Sequence, residues 1–372
     1  MALGHVSTRC AAGAVLLTVA LAGCGTGNAS TNSASAGGAA AQSNSTDYGS
    51  FDASIKQLYS AAKSAGESSV VVYGATATSN KPIFDAFSKQ FPGITVTGQQ
   101  LFGPQLVSRV QGEVSSGQHV GDLTDTGNTT TLQFQKQGLY QPTGIDMSSV
   151  DPQYVGSDNM FFADTLSPFV IIYNTSKLAK GDYPKNWHSL TNPAYKGQLV
   201  LTDPTISGPS MDVFANGIHD GTLDQGFVDQ VAAQQPKLVA SPPLAEQAVA
   251  TGQASVGMPD TLIAAKQAQA KGAPLGIVFP MDDGTLFGPT YAALLKGAPH
   301  PNAAKLLLEW ELSPAGQKAI AANNTYSAVK GAPAPQGYPQ REAIKTMKII
   351  PLAEVITTDA AQVAADKKSF GK

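Results

Sequence analysis

From about residue 54 the chain alternates short β-branched runs with amphipathic stretches at helical spacing. That alternation restricts it to an α/β architecture. "SSVVVYG" (68–74) reads as a strand. "TSNKPIFDAFSKQFPG" follows as a helix with Ile83, Phe84, Phe87 and Phe91 on one face, Ser79 or Asn80 as N-cap, and Gly93 beyond its end. "ITVTG" (94–98) is the next strand, and "PQLVSRVQGEVSSG" the next helix, with Leu106, Val107, Val110 and Val114 inward. "GDLTDTG" (121–127) closes a third strand and "NTTTLQFQKQG" restarts a helix.

Two longer apolar strands, "SPFVIIYNTSK" (167–177) and "APLGIVFP" (273–280), are placed to carry the chain out of a first lobe and back again. Between them lie "QLVLTD", "PLAEQAVATG", "ASVGMPD" and "TLIAAKQAQAKG". After them "HPNAAKLLLEWELSPAGQKAIAAN" gives two helices parted at Ser313-Pro314, with Leu306, Leu307, Trp310 and Leu312 as core candidates. Two α/β lobes joined by two crossovers leave a cleft between them, where small ligands commonly bind.

The N-terminus has another character. Arg9 precedes "CAAGAVLLTVALAGC", an apolar stretch that suits a signal segment and is short for a membrane span. Its end, Leu21-Ala22-Gly23-Cys24, resembles the bacterial lipobox, in which a cysteine is lipidated after cleavage just ahead of it. Residues 1–23 are thus expected as a lipoprotein signal peptide. Residues 24–53, rich in Gly, Ser, Ala and Asn, are expected as a flexible tether. Of the two cysteines, Cys10 leaves with the signal and Cys24 carries the lipid. The folded part then has no thiol for a disulfide, a nucleophile or a metal. Net charge is −3 with no basic block, which argues against a nucleic-acid partner.

The folded stretch from about 68 to 340 resembles the extracellular solute-binding proteins of ABC importers, in the branch that includes ferric-iron-binding proteins. The matching segments stand in family order: "VVVYGATATSNKPIFDAFSKQFPGITVT", "FVIIYNTSKL", "PKNWHSLTNPAYKGQLVLTDPTISG", "ATGQASVGMPD", "KGAPLGIVFPMDDGT" and "LLKGAPHPNAAKLLLEWELSPAGQKAIAANNTYSAV". The resemblance implies a type II periplasmic-binding-protein fold, α/β and two-lobed, with the ligand cleft between lobes and two crossover strands. Residues 54–166 and 274–330 would form lobe 1, residues 167–273 lobe 2, and residues 331–372 a C-terminal helical segment packing on the lobes. It further implies a monomer tethered by lipid to the outer face of a bacterial cell membrane, handing a small solute to an ABC permease. No cofactor is implied.

Iron-binding members of that branch use two adjacent tyrosines in the second lobe. The corresponding place here reads Pro259-Asp260-Thr261-Leu262, and none of the eleven tyrosines neighbours another. Ferric iron favours anionic oxygen ligands, which neutral hydroxyls replace poorly. No metal ligands are therefore expected, although a ferric-binding protein stays as the alternative. What the strand-end loops offer is hydrogen bonding and helix N-termini, which suit an anion. The expected ligand-binding residues are Thr76, Ala77, Thr78 and Ser79, then Gly127, Asn128 and Thr129, then Ser207, Gly208 and Ser210, and finally Asp260 and Thr261. Any single Ser or Thr at such a place also serves as an ordinary cap. Asp260, Asp282 and Asp283 add the option of a cationic group on the ligand, so an anionic or zwitterionic solute of the phosphonate or phosphate kind is expected.

Ser207 and Ser210 lie outside any G-x-S-x-G elbow, and no H-E-x-x-H, P-loop or dinucleotide fingerprint occurs. The five histidines are scattered. No catalytic residue is expected, and an enzyme is the remote alternative. A sensory binding protein is the other one.

Overall fold

The computed structural model describes residues 51–372 apart from Lys180 and Ser207, so the expected signal peptide, Cys24, the tether up to residue 50 and Ser207 lie outside the described residues. Nine strands among the described residues form one curled sheet: β1 (Ser69–Gly74), β2 (Thr95–Gln100), β3 (Leu123–Thr126), β4 (Phe161–Asn174), β5 (Leu199–Thr202), β6 (Lys237–Val239), β7 (Val256–Thr261), β8 (Leu275–Val278) and β9 (Phe287–Leu294). Their order is β2-β1-β3-β9-β4-β7-β5-β6, with β8 also on β4. The helices are α1 (Phe51–Ser64), α2 (Lys81–Gln90), α3 (Gly103–Ser116), α4 (Asn128–Lys136), α5 (Pro209–Asp220), α6 (Gln225–Ala233), α7 (Pro242–Ala250), α8 (Leu262–Ala270), α9 (Pro301–Leu312), α10 (Pro314–Ala322) and α11 (Val355–Ser369). The chain is thus mixed α/β.

Strand direction creates the cleft. β1, β2 and β3 are mutually parallel, and β9 runs against both β3 and β4, so β4 runs the same way as β1 and β3. The second half of β4 pairs antiparallel with β7, and β5 and β6 follow β7 in parallel. The carboxyl ends of β1 and β3 therefore point at the carboxyl ends of β5 and β7. Ligands of open α/β sheets bind at such ends.

Each lobe has its own apolar interior. In lobe 1, Ile83, Phe84, Phe87 and Phe91 are buried with Leu106, Val110, Leu306, Leu307, Trp310 and Leu312. Ring contacts tie α2 to α9, with Phe87 edge-on to Trp310 at 5.5 Å. In lobe 2, Trp187 is fully buried and its Nε1–H donates to the Gly284 carbonyl at 3.0 Å. Tyr173 lies flat against Tyr183, ring centroids 4.5 Å apart.

Two details depart from the sequence reading. Val114 is 45% exposed, and its neighbour Glu113 turns inward instead. Glu113 is fully served there: it accepts from the Tyr73 hydroxyl and Arg109 Nε, both at 2.6 Å, and from the amides of Val120 and Gly121. The return crossover also lies later than expected. β8 pairs with the lobe 2 half of β4, so the chain re-enters lobe 1 after Val278, through β9, and not at residue 274.

Candidate functional site

Four loops follow the opposed strand ends, and each opens a helix. The first, residues 75–80, leaves β1 where only glycine fits: a Cβ on Gly74 would fall 2.0 Å from the Asp125 carbonyl oxygen. Gly98 on β2 plays the same part under the loop, where a Cβ would meet the Ala77 carbonyl oxygen at 2.1 Å. Ala77 is buried, Thr78 exposed, and Thr76 and Ser79 half-buried. Thr76 Oγ1 donates to Asp125 Oδ2 at 3.0 Å and Asn80 Nδ2 to the same oxygen at 3.1 Å. Asn80 holds the N-cap position of α2 but makes no side-chain cap; its amide is committed to Asp125. The Ser79 carbonyl accepts from Asn323 Nδ2 at 3.1 Å and, from α8 of the opposite lobe, from Gln267 Nε2 at 3.5 Å.

The second loop ends at Gly127, an exposed N-cap, and enters α4 at Asn128. Asn128 Oδ1 accepts from the Thr129 amide at 2.8 Å. Thr129 does not keep a free hydroxyl for a ligand, because Oγ1 donates to Asp359 Oδ2 of α11 at 2.7 Å.

The third loop begins at Asp203 and enters α5 through Gly208 and Pro209. Asp203 accepts from the Thr205 amide and hydroxyl and pairs with Lys372. Burial works against its charge, but Lys372 and Thr205 hold the carboxyl below its ordinary range. Ser210 corrects the sequence expectation of a hydroxyl offered to the cleft. It is fully buried, with Oγ 2.7 Å from Thr202 Oγ1 and its amide donating to that same oxygen at 3.2 Å. Its role is to clamp the first turn of α5 to β5.

The fourth loop is the shortest, and Asp260 and Thr261 sit at the end of β7. Thr261 caps α8, its Oγ1 accepting from the Ala264 amide at 3.3 Å. Asp260 is 3% exposed. Oδ1 accepts from the Thr261 amide at 2.7 Å, while Oδ2 is shut from water without a hydrogen-bond partner. Burial first, then Glu246, pushes its pKa up to about 8. Asp283 stands elsewhere, accepting from the His188 amide and ring, each at 3.0 Å.

Sequence reasoning missed the partners more than the loops. Asp125, Gln267, Asn323 and Asp359 of α11 hold the loops from far along the chain, and Thr202 holds Ser210 from eight residues away. Asp212, in the first turn of α5, is pushed up to about 7 by burial and then by Asp359. Among the described residues no group of three or more His, Cys, Asp or Glu side chains is arranged to hold a metal, and no helix is long and apolar enough to cross a membrane.

The fold is one of two α/β lobes whose strand-end loops face one another. Residues 126–349 match the family model of the bacterial extracellular solute-binding proteins, and the chain belongs to that family, the class that serves ABC importers. An Fe(3+)-binding periplasmic protein of Serratia marcescens is 22% identical over 84% of this chain and 92% of its own length. An uncharacterized protein of Haemophilus influenzae is 29% identical over 39% of this chain, a match that spans only 43% of that relative. Among solved structures, iron-bound HitA from Pseudomonas aeruginosa aligns with a TM-score of 0.64 at 21% identity, covering 81% of this chain and 99% of its own. AfuA from Actinobacillus pleuropneumoniae, with fructose-6-phosphate bound, aligns at 0.65 and 18% identity, covering 80% and 98%. These likenesses bear out the type II fold.

Proposed function

We propose that this chain captures a small organic zwitterion of the aminoalkylphosphonate kind for an ABC importer. The observation that carries the reading is Asp260: a buried carboxyl with an unpartnered oxygen, at a strand end beside the N-terminus of α8. An ammonium group would satisfy that oxygen, while the anionic end would rest on helix N-termini and amides of the opposing loops. Residues 76–79, Gly127, Asn128, Gly208 and Thr261 remain the proposed contacts, together with Ser207. Solute touching both lobes favours the closed form by its differential affinity, and the permease reads that form. Cys24 carries the lipid that keeps the protein at the membrane.

A second reading, a phosphorylated solute without an amine, is favoured by the sugar phosphate bound in AfuA. The ferric reading has the names of several relatives behind it, but the four loops carry no tyrosine, and of their two carboxylates, Asp203 and Asp260, the first is already paired with Lys372. A thermal-shift screen of the chain against aminoalkylphosphonates, sugar phosphates, polyamines, carboxylates and ferric salts separates the three. A saturating ligand stabilises by several kcal/mol, about 3–4 at 100–1,000 times its Kd. Stabilisation by ferric salts or sugar phosphates alone would overturn the zwitterion.

A further inference from the structure

Behind the first loop, inside lobe 1, lies a small cavity of ≈ 10 Å³. Three carboxyl groups line it, from three separate elements: Asp125 of β3, Asp164 of β4 and Glu311 of α9. They are 2%, 5% and 5% exposed. The rest of the lining is apolar apart from Thr124, and no lysine, arginine or histidine belongs to it. Tyr140 reaches the space only through Thr124, whose hydroxyl lies 2.8 Å from its own, and burial drives its ionisation far above neutral pH. The volume is about that of one water molecule's probe sphere. Asp125 Oδ1 is buried there without a partner.

Three charged carboxylates cannot share so small an apolar space without a cation, and the three do not converge in the way a metal requires. Protons are the remaining compensation. Burial raises all three groups; Asp164 is raised further by Asp125 and Glu311, and Glu311 by Asp125. Asp125 comes lowest, at about 6, because Thr76 and Asn80 donate to its other oxygen against the effect of burial. The cluster therefore loses its protons as one interacting set.

The same Asp125 that ends this set fastens the cleft loop. Its Oδ2 holds Thr76 and Asn80, and Asn323 in turn reaches Asn80 Oδ1 at 3.4 Å and the Ser79 carbonyl. Hydrogen bonds to an ionised carboxylate are about twice as strong as those to a neutral one. We propose that the enclosed Asp125–Asp164–Glu311 cluster is an interior proton-binding site whose occupancy sets how firmly residues 75–80 are held on the lobe 1 wall of the cleft. Protonation of Oδ1 loosens the loop; its loss tightens it. The proposal is independent of which solute the cleft takes.

Hydrogen–deuterium exchange on the full chain without solute tests it, after correction for intrinsic exchange. Protection of 75–80 should rise roughly ten-fold from about pH 5 to about pH 8, with Leu199–Thr202 of β5 unchanged as internal control. Asp125→Asn should hold loop protection at one level across that range, while Glu311→Gln and Asp164→Asn, whose carboxyls are still protonated when Asp125 ionises, should leave the wild-type midpoint in place. Loop protection in the wild type that does not change with pH overturns the proposal even if a variant fails to fold. So does a pH-dependent protection that survives in folded Asp125→Asn.

Discussion

Thr129, in the first turn of α4, donates its hydroxyl to Asp359 of α11 at 2.7 Å, while α11 itself packs along α5. Residues on both sides of the cleft are thereby joined through the C-terminal helix, which lies beyond the residues matched to the family model. Met211 and Ala215 of α5, Val355 of α11 and Ile350 form one apolar cluster, with Leu132 of α4 against it. Thr129→Val should remove the polar part of that joint and leave a buried acceptor unserved. A loss of about 1–2 kcal/mol is expected near neutral pH. Urea unfolding measures it, and an unchanged midpoint would show the bond to be idle.

Asp212 and Asp359 repel one another across α5 and α11. The folded carboxyl of Asp212 stands at about 7, against about 3.9 in an unfolded chain. Its contribution is present in full below about pH 4 and is lost as pH rises through about 7. Asp212→Asn should therefore be more stable than the wild type at about pH 8, with the gap closing on acidification. Thermal unfolding across that window decides it. A gap that widens toward acid would contradict the assignment.

Asp260 has to surrender a proton to hold an ammonium group. With its carboxyl at about 8 in the free protein, affinity for an aminoalkylphosphonate should climb as pH approaches that value. Calorimetry near pH 7 in buffers of different ionisation enthalpy should register proton release on binding. Asp260→Asn should bind at least ten-fold more weakly, on the order of the loss of one hydrogen-bonded charge pair, and release no proton. Equal affinity in the variant would place the ammonium elsewhere.

Ser210 is expected to matter for folding and not for capture. Ser210→Ala breaks the contact with Thr202 Oγ1, although that oxygen still receives the residue 210 amide. Stability should fall by about 1 kcal/mol with solute affinity unchanged. Weaker binding without loss of stability would return the hydroxyl to the cleft.

Cys24→Ala should leave the chain uncleaved at the lipobox-like site and without acyl chains. Membrane fractionation with labelled fatty acid follows both, and retained label in the variant would dismiss the anchor.

How much of this the sequence disclosed depends on distance along the chain. The helical face of Ile83, Phe84 and Phe87 was legible because burial follows a local period, and so was the position of each loop at a strand end. Val114 misled, because the same period serves Glu113 equally well and only Tyr73, Arg109 and two distant amides make a buried glutamate tolerable. β9, "FGPTYAAL", is buried by pairing with both β3 and β4, which no window of sequence reveals. "APLGIVFP" looked the better crossover only because it is more apolar. Ser210 showed its hydroxyl type but not its direction, which β5 sets. The Asp125, Asp164 and Glu311 cluster had no local signature at all.

One feature of the sheet also limits how the clamp can move. β4 runs unbroken through both halves, and β9 pairs along its first part from Phe161↔Ala293 to Pro168↔Phe287. Two neighbouring strands paired along this length, with one register shift between Ala163 and Thr165, resist shear, since sliding by one residue would turn each side chain to the wrong face. The lobes are left with flexure about a line across this ribbon, as a book moves on its spine. Rotation should therefore be large at the loop tips and almost nil at Leu166 and Pro289.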